Sequence, residues 1–223
     1  MKVTLQNIVP NPMKDEAFSA ESIWGKVCVL DSNHSYLISS DSGKGKSTLL
    51  SYIYGLRADY SGSISIDEEN QKNTSIDGWS KLRTNKLSYL LQDLRLFNHL
   101  SVWDNLTLKN DLTSHKTASQ IEEMLEEFGM LSKKSQLAGK LSLGQQQRVA
   151  LIRCLLQPFE FLLLDEPFSK LDSELRQATR ELVFEQIRQR GLTAILVTHD
   201  QSDADAAAGK VINLTHTASG KSC

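Results

Sequence analysis

Apolar residues along this chain follow two spacings, and the switch between them predicts its elements. Residues 3–8, 27–30 and 36–38, the FLLL of 161–164 and the TAILV of 193–197 are strand-length runs without interior charge. The SISID of 63–67 alternates apolar and polar positions, as a half-exposed strand does. Elsewhere the spacing is helical. Leu49, Leu50 and Ile53 recur three and four residues apart, so a helix opens directly after the loop that follows residue 38. Residues 145–157 read as a helix stopped by Pro158, and residues 173–190 as a helix closed by Gly191. Residues 68–78 are polar and read as loop.

Continuous apolar strands separated by helices argue for an α/β fold with a mostly parallel sheet covered on both faces. Between about residues 93 and 140 the chain becomes charged and helix-prone, with Ile121, Met124, Leu125 and Phe128 on one face. That stretch reads as a helical insertion in the α/β core. Residues 215–223 are small and polar, a composition that frays.

Composition narrows the partners. At 223 residues, 40% hydrophobic and 23% charged, the chain reads as globular, and its formal charge of −2 offers no polyanion-binding surface. Nucleic acid is therefore not expected. Cys28, Cys154 and Cys223 share no metal-ligand spacing and suit a reducing compartment. MKVTLQNIVPNP is broken by prolines before an apolar stretch builds up, and no run approaches the roughly 20 residues that span a bilayer. A soluble chain is expected, able to dock onto a membrane protein.

The candidate chemistry begins at residues 38–50, ISSDSGKGKSTLL. The phosphate-loop pattern G-x-x-x-x-G-K-[ST] is met at Gly45, Lys46 and Ser47 and missed at its first position, Ser40. Such a cradle would comprise Ser40, Asp41, Ser42, Gly43, Lys44, Gly45, Lys46, Ser47 and Thr48. Gly43 and Gly45 allow a tight turn, backbone N–H groups and a helix N-terminus face the phosphates, Lys46 reaches the terminal ones, and the Ser47 hydroxyl ligates Mg2+. The plainer alternative is a surface turn before a helix. A second station is FLLLDEPFSKLD, residues 161–172, where a buried strand ends in Asp165 and Glu166. In a P-loop ATPase the first would hold Mg2+ and the second polarise the attacking water. Alternatively, Asp165 caps the next helix and Glu166 is solvated.

With these stations and LSLGQQQR (residues 141–148) between them, the chain resembles the nucleotide-binding subunits of ABC transporters over nearly its whole length. LSLGQ is similar to the family's signature, commonly LSGGQ, with Leu143 in place of the first glycine. The resemblance implies a P-loop NTPase core, an N-terminal antiparallel β portion and an inserted α-helical subdomain. The whole would form one domain over residues 1–223, with the core in 1–92 and 143–223 and the helical subdomain at about 93–142. It also implies ATP and Mg2+ as ligands and ATP hydrolysis as the activity. Ser142, Gly144 and Gln145 would clamp ATP bound to the opposite subunit, although Ser142 and Gln145 also read as an ordinary capping box. Gln92 would ligate Mg2+, Asp172 would cross the subunit interface, and His199 would contact the terminal phosphate. Phe18 stands near the distance expected of an adenine-stacking aromatic, with Trp24 and Tyr36 as alternatives or core.

The implied partners are a second copy or a homologous ATPase subunit, and a transmembrane permease holding the chain on the cytoplasmic face of the cell membrane. Phe97 and Trp103 are expected near the groove that receives the permease. A stand-alone ABC-type ATPase, or a nucleotide-dependent regulator, is the alternative.

Overall fold

The computed structural model describes residues 1–32, 34–40 and 43–215. Its elements run β1 (Lys2–Pro10), β2 (Val27–Asp31), β3 (Tyr36–Ser39), α1 (Lys46–Ile53), β4 (Tyr60–Ile66), β5 (Glu69–Asn70), α2 (Ile76–Asn85) and β6 (Leu87–Leu90). They continue with α3 (Val102–Asn110), α4 (Ala118–Glu127), α5 (Leu143–Leu155), β7 (Phe161–Asp165), α6 (Ser173–Gln189), β8 (Thr193–Val197), α7 (Gln201–Ala207) and β9 (Lys210–Asn213).

Two sheets result. The first is antiparallel, in the order β2-β1-β4-β5, and the second runs β6-β7-β8-β3-β9 with every pairing parallel. The central strands of the parallel sheet are apolar throughout because each of its faces covers a separate core. Along β7, Phe161 and Leu163 join a core with the antiparallel sheet and α1, whereas Leu162 and Leu164 join a core built from α3, α4, α5 and α6. This alternation sets the site, since the next residue, Asp165, must face α1.

Three expectations need correction. Residues 68–78 are not all loop, because β5 and the start of α2 fall within them. Ser75 caps α2 by accepting from the Gly78 N–H, and no residue of that helix is buried, so no apolar stripe announces it. The helix expected at 145 begins at Leu143, directly after its cap Ser142. Finally, α7 and β9 occupy a stretch for which the hydrophobic pattern predicts nothing.

Candidate active site

The phosphate loop leaves β3 and enters α1. Backbone φ is positive at Gly43 (76°) and Gly45 (92°), while Ser40 has no such torsion. A Cβ on Gly45 would stand 3.1 Å from the Trp24 ring and 3.4 Å from Met13, so this position needs glycine on both counts. Ser40 contributes its carbonyl, which accepts a hydrogen bond from the buried Lys46 ammonium at 2.7 Å. One residue along α1, the Ser47 hydroxyl donates to Asp165 Oδ1 at 3.1 Å. Thr48 lies alongside, and Lys44 pairs with Glu16 at 3.7 Å. Asp41 and Ser42 lie outside the described residues.

The paired carboxylates end β7. Burial pushes the Asp165 carboxyl above its usual range, opposed by the Ser47 hydrogen bond and the Lys46 charge. Glu166 follows with a left-handed φ of 51°, a strained torsion for a residue with a Cβ. Its main chain fixes that turn: the N–H donates to Val197 O, and the carbonyl accepts from Gln147 Nε2 at 2.9 Å and Ser169 Oγ at 3.0 Å. The Glu166 carboxyl is also raised by burial, with the His199 ring acting against that rise. His199 Nε2 stands 3.6 Å from Glu166 Oε1, and that oxygen is buried without a hydrogen-bond partner among the described residues. A buried, underused carboxylate oxygen beside a cationic loop is a feature of chemistry rather than of packing.

These side chains line one cleft of ≈ 660 Å³, in which Gly43, Gly45, Lys46, Ser47, Thr48, Gln92, Asp165, Glu166 and His199 meet. Residues as far apart in sequence as Gly43 and His199 converge there only through the parallel sheet, in which β3, β7 and β8 adjoin at their C-terminal ends.

Other predicted residues lie outside this cleft. Ser142 and Gln145 form a reciprocal capping box at the start of α5. Leu143 is 62% exposed, whereas a Cβ on Gly144 would come within 3.0 Å of the Lys170 carbonyl. The first position thus tolerates a side chain and the second does not. Asp172 caps α6 by accepting from the Leu175 N–H at 3.0 Å. Phe18 is half-buried against the core beside the antiparallel sheet and does not line the cleft among the described residues. The side chains that touch the loop at Gly45 are Met13 and Trp24 instead.

Several residues unnoticed in the sequence hold the site together. Gln147 bridges α5 to the loop after Glu166, donating to the Glu166 carbonyl and accepting from the Lys170 N–H at 2.8 Å. Arg176 donates to the Phe168 carbonyl and to Asp200, the residue after His199. Arg180 pairs with the buried Asp203 at 3.1 Å. Each lies on an element separated in sequence from its partner, so no local pattern could reveal the pairing.

The comparisons bear directly on this arrangement. Residues 29–169 match the protein family described as ABC transporter. The thiamine import ATP-binding protein ThiQ of Histophilus somni is 39% identical over 180 residues, 79% of this chain and 81% of that protein. This chain belongs to the ABC transporter family. The Fe(3+) ions import ATP-binding protein FbpC of Pasteurella multocida is 37% identical over 174 residues, covering 77% of this chain and 48% of FbpC. Among solved structures, the ATP-binding cassette MJ0796, a dimer in a post-hydrolysis state bound to ADP and Pi, superposes with a TM-score of 0.80. The two are 25% identical, over 96% of this chain and 94% of that one. As an ABC transporter cassette the chain binds and hydrolyses ATP, and no described helix is long and apolar enough to cross a membrane.

Proposed function

We propose that this chain drives an importer, with Lys46, Ser47, Gln92, Asp165, Glu166 and His199 as its hydrolytic machinery and Mg2+ as its metal. The observation that carries this reading is the convergence of those six residues in one cleft. The Ser47 hydroxyl and Asp165 carboxylate, already in contact, supply hard oxygen donors, with the Gln92 amide oxygen in the same cleft. No group of three or more His, Cys, Asp or Glu able to hold a metal alone occurs among the described residues. This suits an ion that a nucleotide's phosphates help to ligate. When bound, Mg2+ neutralises charge on the terminal phosphates.

The protein groups do the rest. Lys46 sits at the N-terminus of α1, where its charge adds to the helix dipole and to the N–H groups that attract an anion. Glu166, whose carboxyl burial raises above its ordinary value, takes a proton from the attacking water. His199, 3.6 Å away, restrains that carboxylate and faces the terminal phosphate. Ser142 and Gly144 lie outside this cleft, so the chain supplies them to ATP held by a second copy or a homologous subunit, with Asp172 crossing the interface. Phe18 is the assigned adenine-stacking residue, and residues 93–142 form the helical subdomain of a single domain.

A groove of ≈ 400 Å³ lies between this subdomain and β6, lined by Tyr54, Tyr89, Phe97, Leu108, Lys109 and Leu112 among others. Phe97 is 50% exposed there and awaits a partner. Trp103, expected beside it, is absent from the lining. Its ring packs against the helical core beneath the Lys134 ammonium, 3.8 Å from the centroid. The groove is read as the dock for a helix of a transmembrane permease, which keeps the chain on the cytoplasmic face of the membrane. ThiQ and FbpC are named for the import of different cargoes at nearly equal identity to this chain, which supports an importer without selecting its substrate.

The pairing is tested by the solution mass of Glu166→Gln, which holds ATP unhydrolysed. ATP should convert it from monomer to dimer, and Ser142→Arg added to it should keep it monomeric. A monomer with ATP bound would contradict pairing of like chains.

A further inference from the structure

The docking groove and the phosphate cleft share a side chain. Tyr89 lies on β6, and its ring forms part of the groove wall beside Tyr54, with ring centroids 5.3 Å apart. On its other side the same residue lines a pocket with Ser47, Ser51, Gln92 and Asp165. Strand register explains how one residue reaches both. Tyr89 pairs with Leu163 in the parallel ladder between β6 and β7, and Leu90 pairs with Leu164. Residues two apart on a strand share a face, so Tyr89 stands next to Leu163 and one step short of Asp165, on the side facing α1. Diagonal neighbours of this kind are within reach of an aromatic side chain.

The two groups also act on each other. The phenol lowers the Asp165 carboxyl against the effect of burial. Burial, followed by the Asp165 charge, raises the phenol well above its ordinary value.

We propose that Tyr89 is a positioning residue that couples occupation of the docking groove to the placement of Asp165. A tyrosine ring is rigid, and packed interiors transmit displacement rather than absorbing it. A helix pressed against the ring at the groove end shifts the hydroxyl at the carboxylate end. This route runs inside the sheet, through a residue on a strand, and is separate from any movement of the loop that carries Gln92. It rests on reading the groove as the permease dock and Asp165 as the Mg2+ carboxylate.

The test compares wild type with Tyr89→Phe, which keeps the ring in the groove and removes the hydroxyl at Asp165. Each is measured as the isolated chain and assembled with its permease in membranes. Tyr89→Phe should assemble like wild type and bind ATP in EDTA with unchanged affinity. The Mg2+ concentration that half-saturates its metal-dependent nucleotide binding should rise about threefold or more, and stimulation of its hydrolysis by the permease should fall by a similar factor. Wild-type stimulation together with a wild-type Mg2+ response would overturn the proposal. So would loss of assembly, because Tyr89 would then be a docking contact only. Phe97→Arg separates the underlying reading: if that variant still assembles, the groove is not the dock and the coupling falls with it. If Phe97→Arg fails to assemble while Tyr89→Phe behaves as wild type, only the coupling is refuted.

Discussion

Ser40 stands where the phosphate-loop pattern asks for glycine, and the backbone explains why serine serves. Among the described residues of the loop the left-handed torsions fall on Gly43 and Gly45, and the group that Lys46 uses at position 40 is a main-chain carbonyl. Ser40→Gly should therefore leave ATP affinity within a few-fold of wild type in a titration with labelled nucleotide. A loss beyond tenfold, about 1.4 kcal/mol, would show that the hydroxyl contributes. The same distinction governs what could be read at this scale. Lys46, Asp165 and Glu166 were legible because the chemistry demands those side chains at strand and loop ends. Gln147, Arg176 and Arg180 were not, because their partners are chosen by the fold. Phe18 rests on spacing alone, a signal that proposes an aromatic for adenine without showing its contacts, and Met13 and Trp24 are the side chains found against the loop at Gly45.

Among the elements, the segment after Gln92 stores strain. Leu94 and Arg95 both adopt positive φ, 58° and 47°, and each such torsion costs a residue with a Cβ roughly 1–2 kcal/mol. Arg153, near the end of α5, holds both carbonyls, with Nη2 on Leu94 O at 2.6 Å and Nη1 on Arg95 O at 2.8 Å. Arg153→Met should release them, so amide exchange over residues 93–97 should quicken by about tenfold or more. Unchanged exchange would mean that packing alone imposes the bend.

At the back of the cleft, α6 and α7 are joined by Arg180 and the buried Asp203, whose carboxyl is raised by burial with the Arg180 hydrogen bond opposing. Removing the partner leaves a buried charge, at a cost of about 3 kcal/mol at neutral pH. A carboxyl raised in the folded state takes up its proton before the unfolded chain does, so its penalty builds as pH rises from the ordinary carboxyl value through the raised one and disappears only below the ordinary value. Arg180→Met should therefore melt well below wild type at neutral pH, and the gap should narrow on acidification. A gap that does not change with pH would contradict this role for Asp203.

Elements were legible in proportion to their apolar content. The unbroken strands β7 and β8 were plain because both faces are buried. In contrast, α2 buries no residue, and α7, only seven residues long, buries just Asp203 and Ala207. Elements that bury few apolar residues leave little hydrophobic signature.

At the scale of the whole molecule, one sheet serves two cores and aims its strand ends at one cleft. The parallel order β6-β7-β8-β3-β9 brings the loops after β3, β7 and β8 together, with the segment after β6 at their edge. The helical subdomain shares a continuous apolar core with one face of that sheet, so a load on its groove reaches the strands that carry the site. Activity should stand or fall with the cleft. The direct measurement is phosphate release from Mg–ATP by purified wild type, Lys46→Ala and Glu166→Gln under identical conditions. Wild type should turn over, and both variants should fall by at least about a hundredfold, Glu166→Gln while still binding ATP. Equal rates in wild type and Glu166→Gln would contradict the assignment of this cleft as the hydrolytic site.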